Sequence, residues 1–200
     1  MLNRPHRSRG MTLIELLIGL AIVGLLLGIG MPAFNTFIAN SKVRNAAEAL
    51  QSGLALARSA AMGRNQNVEF LLTNDVVDLG TVGTIAPATN GIHWVVRVLD
   101  PATGNYELVE TKSGYEGSGQ SEGATSVLVA ASNATITFRG LGGTQGAAGT
   151  ATFDFSNPGA GACHTTATPA PIRCLRVQVS IAGQVRVCDP STSVPDTRAC

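Results

Sequence analysis

The sequence predicts an α+β protein in which one long N-terminal helix packs on a mainly antiparallel β-sheet head. Two observations support this fold class. An unbroken apolar run, residues 16–34, leads into a stripe of apolar residues at spacings of three and four, the period of a helix. From residue 67 onward, β-branched and aromatic segments alternate with loops rich in Gly, Asn and Thr, which is typical of short strands. After the first helix, about 130–150 residues remain for the head, enough for one domain.

The apolar run is long enough to cross or nearly cross a bilayer. Its nineteen residues contain no charged or polar side chain, and as a helix they extend about 28 Å against a hydrocarbon core of about 30 Å. Arg4, Arg7 and Arg9 precede the run without any neighbouring acid. Positive charge on that side places the N-terminus in the cytoplasm and the head in the periplasm, with the inner membrane between them.

Two simpler membrane signals are alternatives to an assembly role for this segment. A secretory signal peptide has a shorter apolar region and a small-residue cleavage site after it, and no such site follows here. A plain signal anchor fits the length but leaves Glu15 unexplained. A carboxylate at the edge of lipid costs about 2–3 kcal/mol unless it finds a partner.

The helix continues beyond the apolar run as an amphipathic segment. Its apolar stripe, with spacings of 4, 3, 4, 3 and 4, consists of Val43, Ala47, Leu50, Leu54, Ala57 and Ala61. Gly63 is a plausible end, giving one helix of about 50 residues and about 75 Å. The predicted organisation is a leader at 1–10, a membrane and assembly helix at 11–34, an amphipathic helix at 35–64 and a head at 65–200.

Eight strands are predicted in the head. They cover residues 67–73, 92–99, 106–112, 126–130, 134–139, 150–155, 172–181 and 184–188. Ala182-Gly183 separates the last two strands at the spacing of a tight hairpin. Trp94 is expected in the core, and residues 74–91 and 113–126 are expected to be loops.

The four cysteines all lie near the C-terminal end of the sequence, on the predicted periplasmic side. They are Cys163, Cys174, Cys188 and Cys200. An even number in an oxidising compartment indicates two disulfides, for which three pairings exist. The local pairs Cys163–Cys174 and Cys188–Cys200 are favoured because each closes a short loop. A zinc site is the alternative, although the cysteines lack C-x-x-C spacing and the nearby histidine is His164.

Charge and motifs favour neither an enzyme nor a broadly basic protein. The chain has 14 Lys and Arg against 13 Asp and Glu, and without the leader arginines the balance becomes 11 against 13. His93 lies in a predicted strand, where a structural role is expected. The sequence contains none of the metalloprotease, nucleophile-elbow or phosphate-loop motifs. We therefore predict no catalytic residue, no cofactor and no metal.

The residues at the predicted leader junction resemble the type IV prepilin signal. The block is Arg9-Gly10-Met11-Thr12-Leu13-Ile14-Glu15-Leu16-Leu17, with Met11 where that family usually has Phe. The resemblance implies that a prepilin peptidase cleaves between Gly10 and Met11 and that Met11 is then N-methylated. It also implies that Glu15 pairs with the N-terminal amine of a neighbouring subunit, and that Pro32 loosens the helix during filament assembly.

A second block resembles the GspH/FimT group of minor pilins and pseudopilins. It runs from Ala55 to Val68, with Ala60 where that group often has an acid. This resemblance implies a type IV pilin-like fold and a non-enzymatic subunit at or near the tip of a filament, in a type II secretion system or a type IV pilus. The implied partners are prepilin peptidase, other pilins, the inner membrane and a secreted substrate.

An alternative function is DNA binding during natural transformation. Arg173, Arg176 and Arg186 crowd the last predicted hairpin, where arginines can contact phosphates. Some members of the group resemble DNA-uptake factors with a G-R-x-R motif, and the matching residues here are Gly183-Gln184-Val185-Arg186. The competing interpretation is that these arginines are solvated charges that keep sheet edges from pairing.

Overall fold

The computed structural model describes residues 11–114, 127–146 and 149–200, without the side chains of residues 29–33. Within these residues, one helix, α1 (Leu13–Arg64), precedes eight strands. These are β1 (Val68–Thr73), β2 (His93–Leu99), β3 (Tyr106–Lys112), β4 (Leu128–Ala131), β5 (Thr135–Phe138), β6 (Ala151–Ser156), β7 (Leu175–Val179) and β8 (Val185–Cys188). The chain divides into two compact units between Phe37 and Ile38. The predicted leader, residues 1–10, lies outside the described residues.

Local sequence sets both ends of α1. At the start, the Thr12 hydroxyl accepts a hydrogen bond from the Glu15 N–H at 3.3 Å, which is an N-cap. At the end, Asn65 has a φ of 50°. The N–H groups of Asn65 and Gln66 donate to the carbonyls of Met62 and Ala61, the pattern of a Schellman motif. The helix therefore ends at Arg64, the last residue of the predicted range 35–64 and one residue beyond Gly63, because Asn65 adopts the left-handed conformation that terminates it.

The predicted stripe of α1 forms one wall of the core. All six predicted positions are at most 2% exposed, and Ala39 extends the stripe by one turn. The small residues allow close approach: a methyl group added at Gly53 would lie 3.0 Å from the indole ring of Trp94. The 4-3 spacing therefore identified the buried face of the helix correctly.

The strands form two antiparallel sheets of four strands each, in the orders β3-β2-β1-β5 and β4-β6-β7-β8. The predicted fold class, one long helix packed on an antiparallel β-sheet head, is confirmed; within the described residues the head contains two sheets rather than one. The chain passes from one sheet to the other between β4 and β5, where the Ser132 N–H donates to Thr152 and the Ala134 carbonyl accepts from Leu72. Proximity in the sequence is a poor guide to which strands share a sheet, because the three residues between β4 and β5 are enough for the chain to pass from one sheet to the other.

Aromatic residues join the inner faces of the two sheets. Phe70 of β1 and Phe153 of β6 meet edge to face, with ring centroids 6.3 Å apart. Trp94 of β2 stacks on Phe70 at 5.7 Å and is partly buried against the core. One continuous core thus includes the helix stripe and residues of both sheets.

Residues 74–91 fold over the outer face of the first sheet. Val82 and Ile85 pack on Leu71 and Val95 in a second, smaller apolar cluster. Beside it, Arg97 is 8% exposed; it pairs with Glu69 at 2.9 Å, donates to the Val82 carbonyl at 2.8 Å and lies 3.8 Å from the centre of the Tyr106 ring. The segment has no regular strand, as expected, and its buried residues Val82 and Ile85 hold it against the sheet.

The observed strands match the predicted ones closely, with one large difference. β7 begins at Leu175, whereas the predicted strand begins at Ile172. Ile172 instead forms an isolated parallel bridge with Cys163, and the Arg173 N–H donates to Asn40 of α1. These contacts keep the backbone of residues 172 and 173 out of the hydrogen-bonded ladder that β7 forms. Most of the predicted loop at 113–126, namely residues 115–126, lies outside the described part of the chain.

Candidate assembly site and head surface

The predicted processing and assembly residues lie just before α1 and within its N-terminal part. Met11 is 76% exposed, and Gly10 lies outside the described residues. Glu15 is exposed and, among the residues that the structure describes, its carboxylate has no bonded partner. Pro32 lies within α1. A carboxylate in the first turn is also favoured by the positive end of the helix dipole.

The sequence contains a signal at Glu15 that the charge argument missed. Thr12-x-x-Glu15 is the spacing of a capping box, in which the threonine caps the helix and the acid occupies its third position. Glu15 therefore has a local structural role available besides pairing with another subunit. A substitution can distinguish the two roles, because a glutamine at this position satisfies a capping box but has no charge to pair with another subunit.

The helix beyond Glu15 exposes a long apolar surface. Every side chain from residue 11 to residue 28 is exposed; Leu13, Leu20 and Leu25, for example, are 79%, 61% and 66% exposed. A helix that is apolar on all sides is expected to be covered by lipid or by other helices. Within the described residues, no helix reaches the combined length and hydropathy required of a membrane span.

The structure contains both local cysteine pairs. Cys163 bonds to Cys174 and Cys188 to Cys200, with Cα atoms 5.4 and 5.2 Å apart. Across residues 11–114, 127–146 and 149–200, no cluster of three or more potential metal ligands occurs. Loops of this length stabilise a fold by about 3 kcal/mol each in the chain-entropy account.

The two histidines of the head contact backbone groups. His93 is buried, and its Nδ1 accepts a hydrogen bond from the Gly114 N–H at 3.1 Å. Burial lowers the pKa of His93 below its ordinary value, which favours the neutral ring that this bond requires. His164 Nδ1 lies 3.3 Å from both the N and the O of Ala170. Both contacts are structural.

The arginines proposed for DNA contact are mostly engaged by protein groups. Arg176 forms a bidentate pair with Asp154, with distances of 2.6 and 3.1 Å, and this hydrogen bond raises the pKa of Arg176. Arg186 donates to Gln178 and to the Cys200 carbonyl at 3.0 and 2.9 Å. Gln178 lies opposite Arg186 in the ladder, so Arg176 and Arg186 share a face. Asp154 supplies a negative charge on this surface, so nothing in its geometry specifically favours DNA.

Polar side chains of α1 fix the helix to distant loops of the head. Asn40 bonds to the Pro171 carbonyl and the Arg173 N–H at 3.1 and 2.8 Å. Arg58 donates to the Gly142 carbonyl at 3.0 Å. These links join residues more than 80 positions apart, so no local pattern in the sequence could reveal them.

The family models cover both parts of the chain. The model described as prokaryotic N-terminal methylation motif matches residues 5–31. The model described as type II transport protein GspH matches residues 46–183. The chain belongs to the GspH family. GspH proteins are pilin-like structural proteins, and the methylation motif implies processing by prepilin peptidase and assembly with other pilins. No curated protein shows significant sequence similarity to this GspH-family chain.

Two solved structures resemble this GspH-family protein. The type IV minor pilin FimU of Pseudomonas aeruginosa has a TM-score of 0.53 at 18% identity, covering 80% of this chain and 97% of FimU. The minor pseudopilin EpsH of the Vibrio cholerae type 2 secretion system has a TM-score of 0.48 at 12% identity, covering 76% of this chain and 99% of EpsH. The likeness to FimU is one of fold, and it agrees with the predicted pilin-like architecture.

Proposed function

We propose that the protein is a minor subunit, at or near the tip, of the filament of a type II secretion system or a type IV pilus. Prepilin peptidase cleaves it between Gly10 and Met11 and methylates Met11. Residues 11–34 anchor the mature chain in the inner membrane, with the head in the periplasm, until the subunit enters the filament. The observation that carries this proposal is the exposed apolar helix whose first turn contains Glu15, a carboxylate without a bonded partner among the residues that the structure describes.

The chemistry of Glu15 links anchoring to assembly. A lone carboxylate in or near lipid is costly, whereas an amine within a few ångströms in a low-dielectric environment offsets much of that cost. The N-terminal amine of a neighbouring subunit is such a partner. Assembly then relieves an unfavourable charge that the isolated subunit retains in the membrane.

The test compares three variants of the first turn. Glu15→Ala removes both charge and capping, Glu15→Gln removes the charge and keeps a capping residue, and Thr12→Ala removes the cap and keeps the charge. We expect both Glu15 variants to be cleaved normally and to be at least tenfold depleted from purified filaments. Thr12→Ala should assemble, because loss of one cap costs about 1 kcal/mol in a 52-residue helix.

The alternative outcome has a distinct pattern. If Glu15 acts only as a capping residue, Glu15→Gln will enter filaments like the wild type while Thr12→Ala is depleted, and the charge-pairing account is then wrong. Intact mass of the membrane-purified chain provides the companion measurement. A chain that begins at Met11 with one added methyl group supports the processing step, and an uncut chain contradicts it.

A further inference from the structure

Two connections of the head meet beside the end of α1. Leu141 lies between β5 and β6, and Ile181 lies between β7 and β8. The two connections are joined because the Ile181 carbonyl accepts the Thr144 N–H at 3.0 Å. The first also approaches the helix, since a methyl group added at Gly142 would lie 2.9 Å from the sulfur of Met62. These contacts place Leu141, Ile181 and Met62 at one corner of the head.

This corner exposes apolar side chains where polar ones are expected. Leu141 is 94% exposed, Ile181 61% and Met62 46%. Turns favour Gly, Asn, Asp, Ser and Pro, and exposed apolar residues that lie together mark interaction surfaces. Arg139, two residues before Leu141, is also exposed, and its side chain has no hydrogen bond or ion pair within the described residues. We call Met62, Arg139, Leu141 and Ile181 the apolar corner.

The charge of the apolar corner indicates what it binds. The segments that form it, residues 57–68, 139–149 and 180–187, contain arginines but neither Asp nor Glu. A partner for this surface should therefore combine apolar side chains with carboxylates.

The loop that follows β1 has this complementary chemistry. Val76 and Leu79 are 74% and 82% exposed, and each follows an exposed aspartate, Asp75 or Asp78. No Lys, Arg or His occurs in residues 65–92. We call Asp75, Val76, Asp78 and Leu79 the acidic loop.

Backbone groups hold the acidic loop in a fixed shape. Asp75 accepts the Ala86 N–H at 2.9 Å through Oδ2. Asp78 accepts the N–H groups of Gly80 and Thr81 at 2.7 and 3.0 Å through Oδ1. The other oxygen of each carboxylate forms no hydrogen bond inside the described part of the chain. A loop that is already ordered loses little conformational freedom on binding, which favours its use as a contact surface.

The apolar corner and the acidic loop are attached to opposite ends of β1. Phe138, just before the apolar corner, pairs with Val68 at the start of the strand. At the other end, Ala86 accepts a hydrogen bond from the Thr73 hydroxyl and donates one to Asp75. The strand has six residues and spans about 16 Å. Both surfaces of one copy are therefore open to other molecules.

We propose that the apolar corner of one copy of this chain binds the acidic loop of a second copy. Arg139 then lies against the two carboxylates, and the exposed apolar side chains of the two surfaces cover one another. Such a contact is heterologous, so a pair of copies still offers one free surface of each kind and further copies can add in a row. Both surfaces belong to the unit Ile38–Cys200, so the contact requires neither membrane anchoring nor Glu15.

The experiment places a photocrosslinker in the full chain, purified in a neutral detergent. Benzoylphenylalanine replaces Leu79, and an isotopically labelled copy without the crosslinker is mixed in equal amount, so that peptide pairs of mixed isotope come only from two copies. We expect mass spectrometry to find pairs that join position 79 to residues 139–145 or 180–184. The crosslinker at Val194, which is 87% exposed but belongs to neither surface, should give at least about fivefold fewer pairs.

Charge variants test the complementarity of the two surfaces. Arg139→Gln removes the exposed cation of the apolar corner, and Asp78→Asn removes a charge of the acidic loop while keeping an oxygen for the Gly80 N–H. Each should lower the yield from position 79 by about threefold or more at low salt. Arg44→Gln and Glu48→Gln remove exposed charges of α1 and should leave the yield unchanged.

Equal yields from positions 79 and 194, or pairs that map outside the apolar corner, overturn the proposal. An unchanged yield in both Arg139→Gln and Asp78→Asn overturns it as well. In cells that produce filaments, capture of a different pilin by position 79 without any self-crosslink excludes a second copy as the partner.

Glu15→Gln separates this proposal from the proposed function. In detergent this variant should keep the crosslink, although we expect it to be depleted from filaments. Absence of the crosslink with and without this substitution overturns the contact between copies and leaves the assembly role of Glu15 standing. Normal entry of Glu15→Gln into filaments, with the crosslink present, overturns only the charge-pairing account.

Discussion

Gly183 is the residue at which one added methyl group is expected to damage the head most. It has a φ of 74° in the β7–β8 turn, and a Cβ atom there would overlap the carbonyl oxygen of Gly142. A shift of that carbonyl away from the added methyl group is restrained, because its oxygen accepts a hydrogen bond from Arg58 at 3.0 Å. For Gly183→Ala we expect about 1–2 kcal/mol of backbone strain and a further 1–3 kcal/mol of overpacking, about 3 kcal/mol in total.

Gly104→Ala is the matched control. Its φ of 72° is nearly the same, but nothing lies within 4 Å of the added Cβ. It should cost only the backbone strain, about 1–2 kcal/mol, without the overpacking that Gly183→Ala adds. Thermal unfolding of the oxidised mature chain, followed by circular dichroism, should show a loss of roughly 6–12 °C for Gly183→Ala. A difference from Gly104→Ala smaller than about 0.5 kcal/mol would refute the steric argument.

Two further predictions concern buried polar groups. Arg97→Met should lower the free energy of unfolding by about 2 kcal/mol or more, because it leaves Glu69 half-buried and unpaired. Arg64→Met breaks the exposed pair with Glu107 and should lower it by less than about 1 kcal/mol. Urea titrations of both variants measure the difference. Burial lowers the pKa of His93 below 6.5, so its contribution to stability is complete above pH 6.5 and declines as the pH falls toward the lowered pKa. His93→Gln should flatten that part of the stability profile; an unchanged slope would show that another group titrates.

The residues that we propose for processing and assembly could be singled out from the sequence alone because the motif that contains them is local. Gly10, Met11 and Glu15 fall within a short block, and the match of the methylation motif to residues 5–31 covers all three. The capping relation between Thr12 and Glu15 was equally available from a spacing of three. The surroundings of the arginines in the last hairpin could not be predicted in this way, since the residue that neutralises Arg176 is Asp154, 22 positions away in the sequence.

The sequence by itself determined the long helix, its buried stripe and the approximate positions of the strands, because periods of 3.6 and 2 reflect which side of each element meets the core. It also favoured the two short cysteine loops. Only the tertiary structure decided that the strands divide into two sheets, that residues 74–91 pack over Leu71 and Val95, and that Asn40 holds Arg173 beside α1. Each of these depends on contacts between residues far apart in the chain, where many alternative pairings satisfy the same local pattern and packing selects among them.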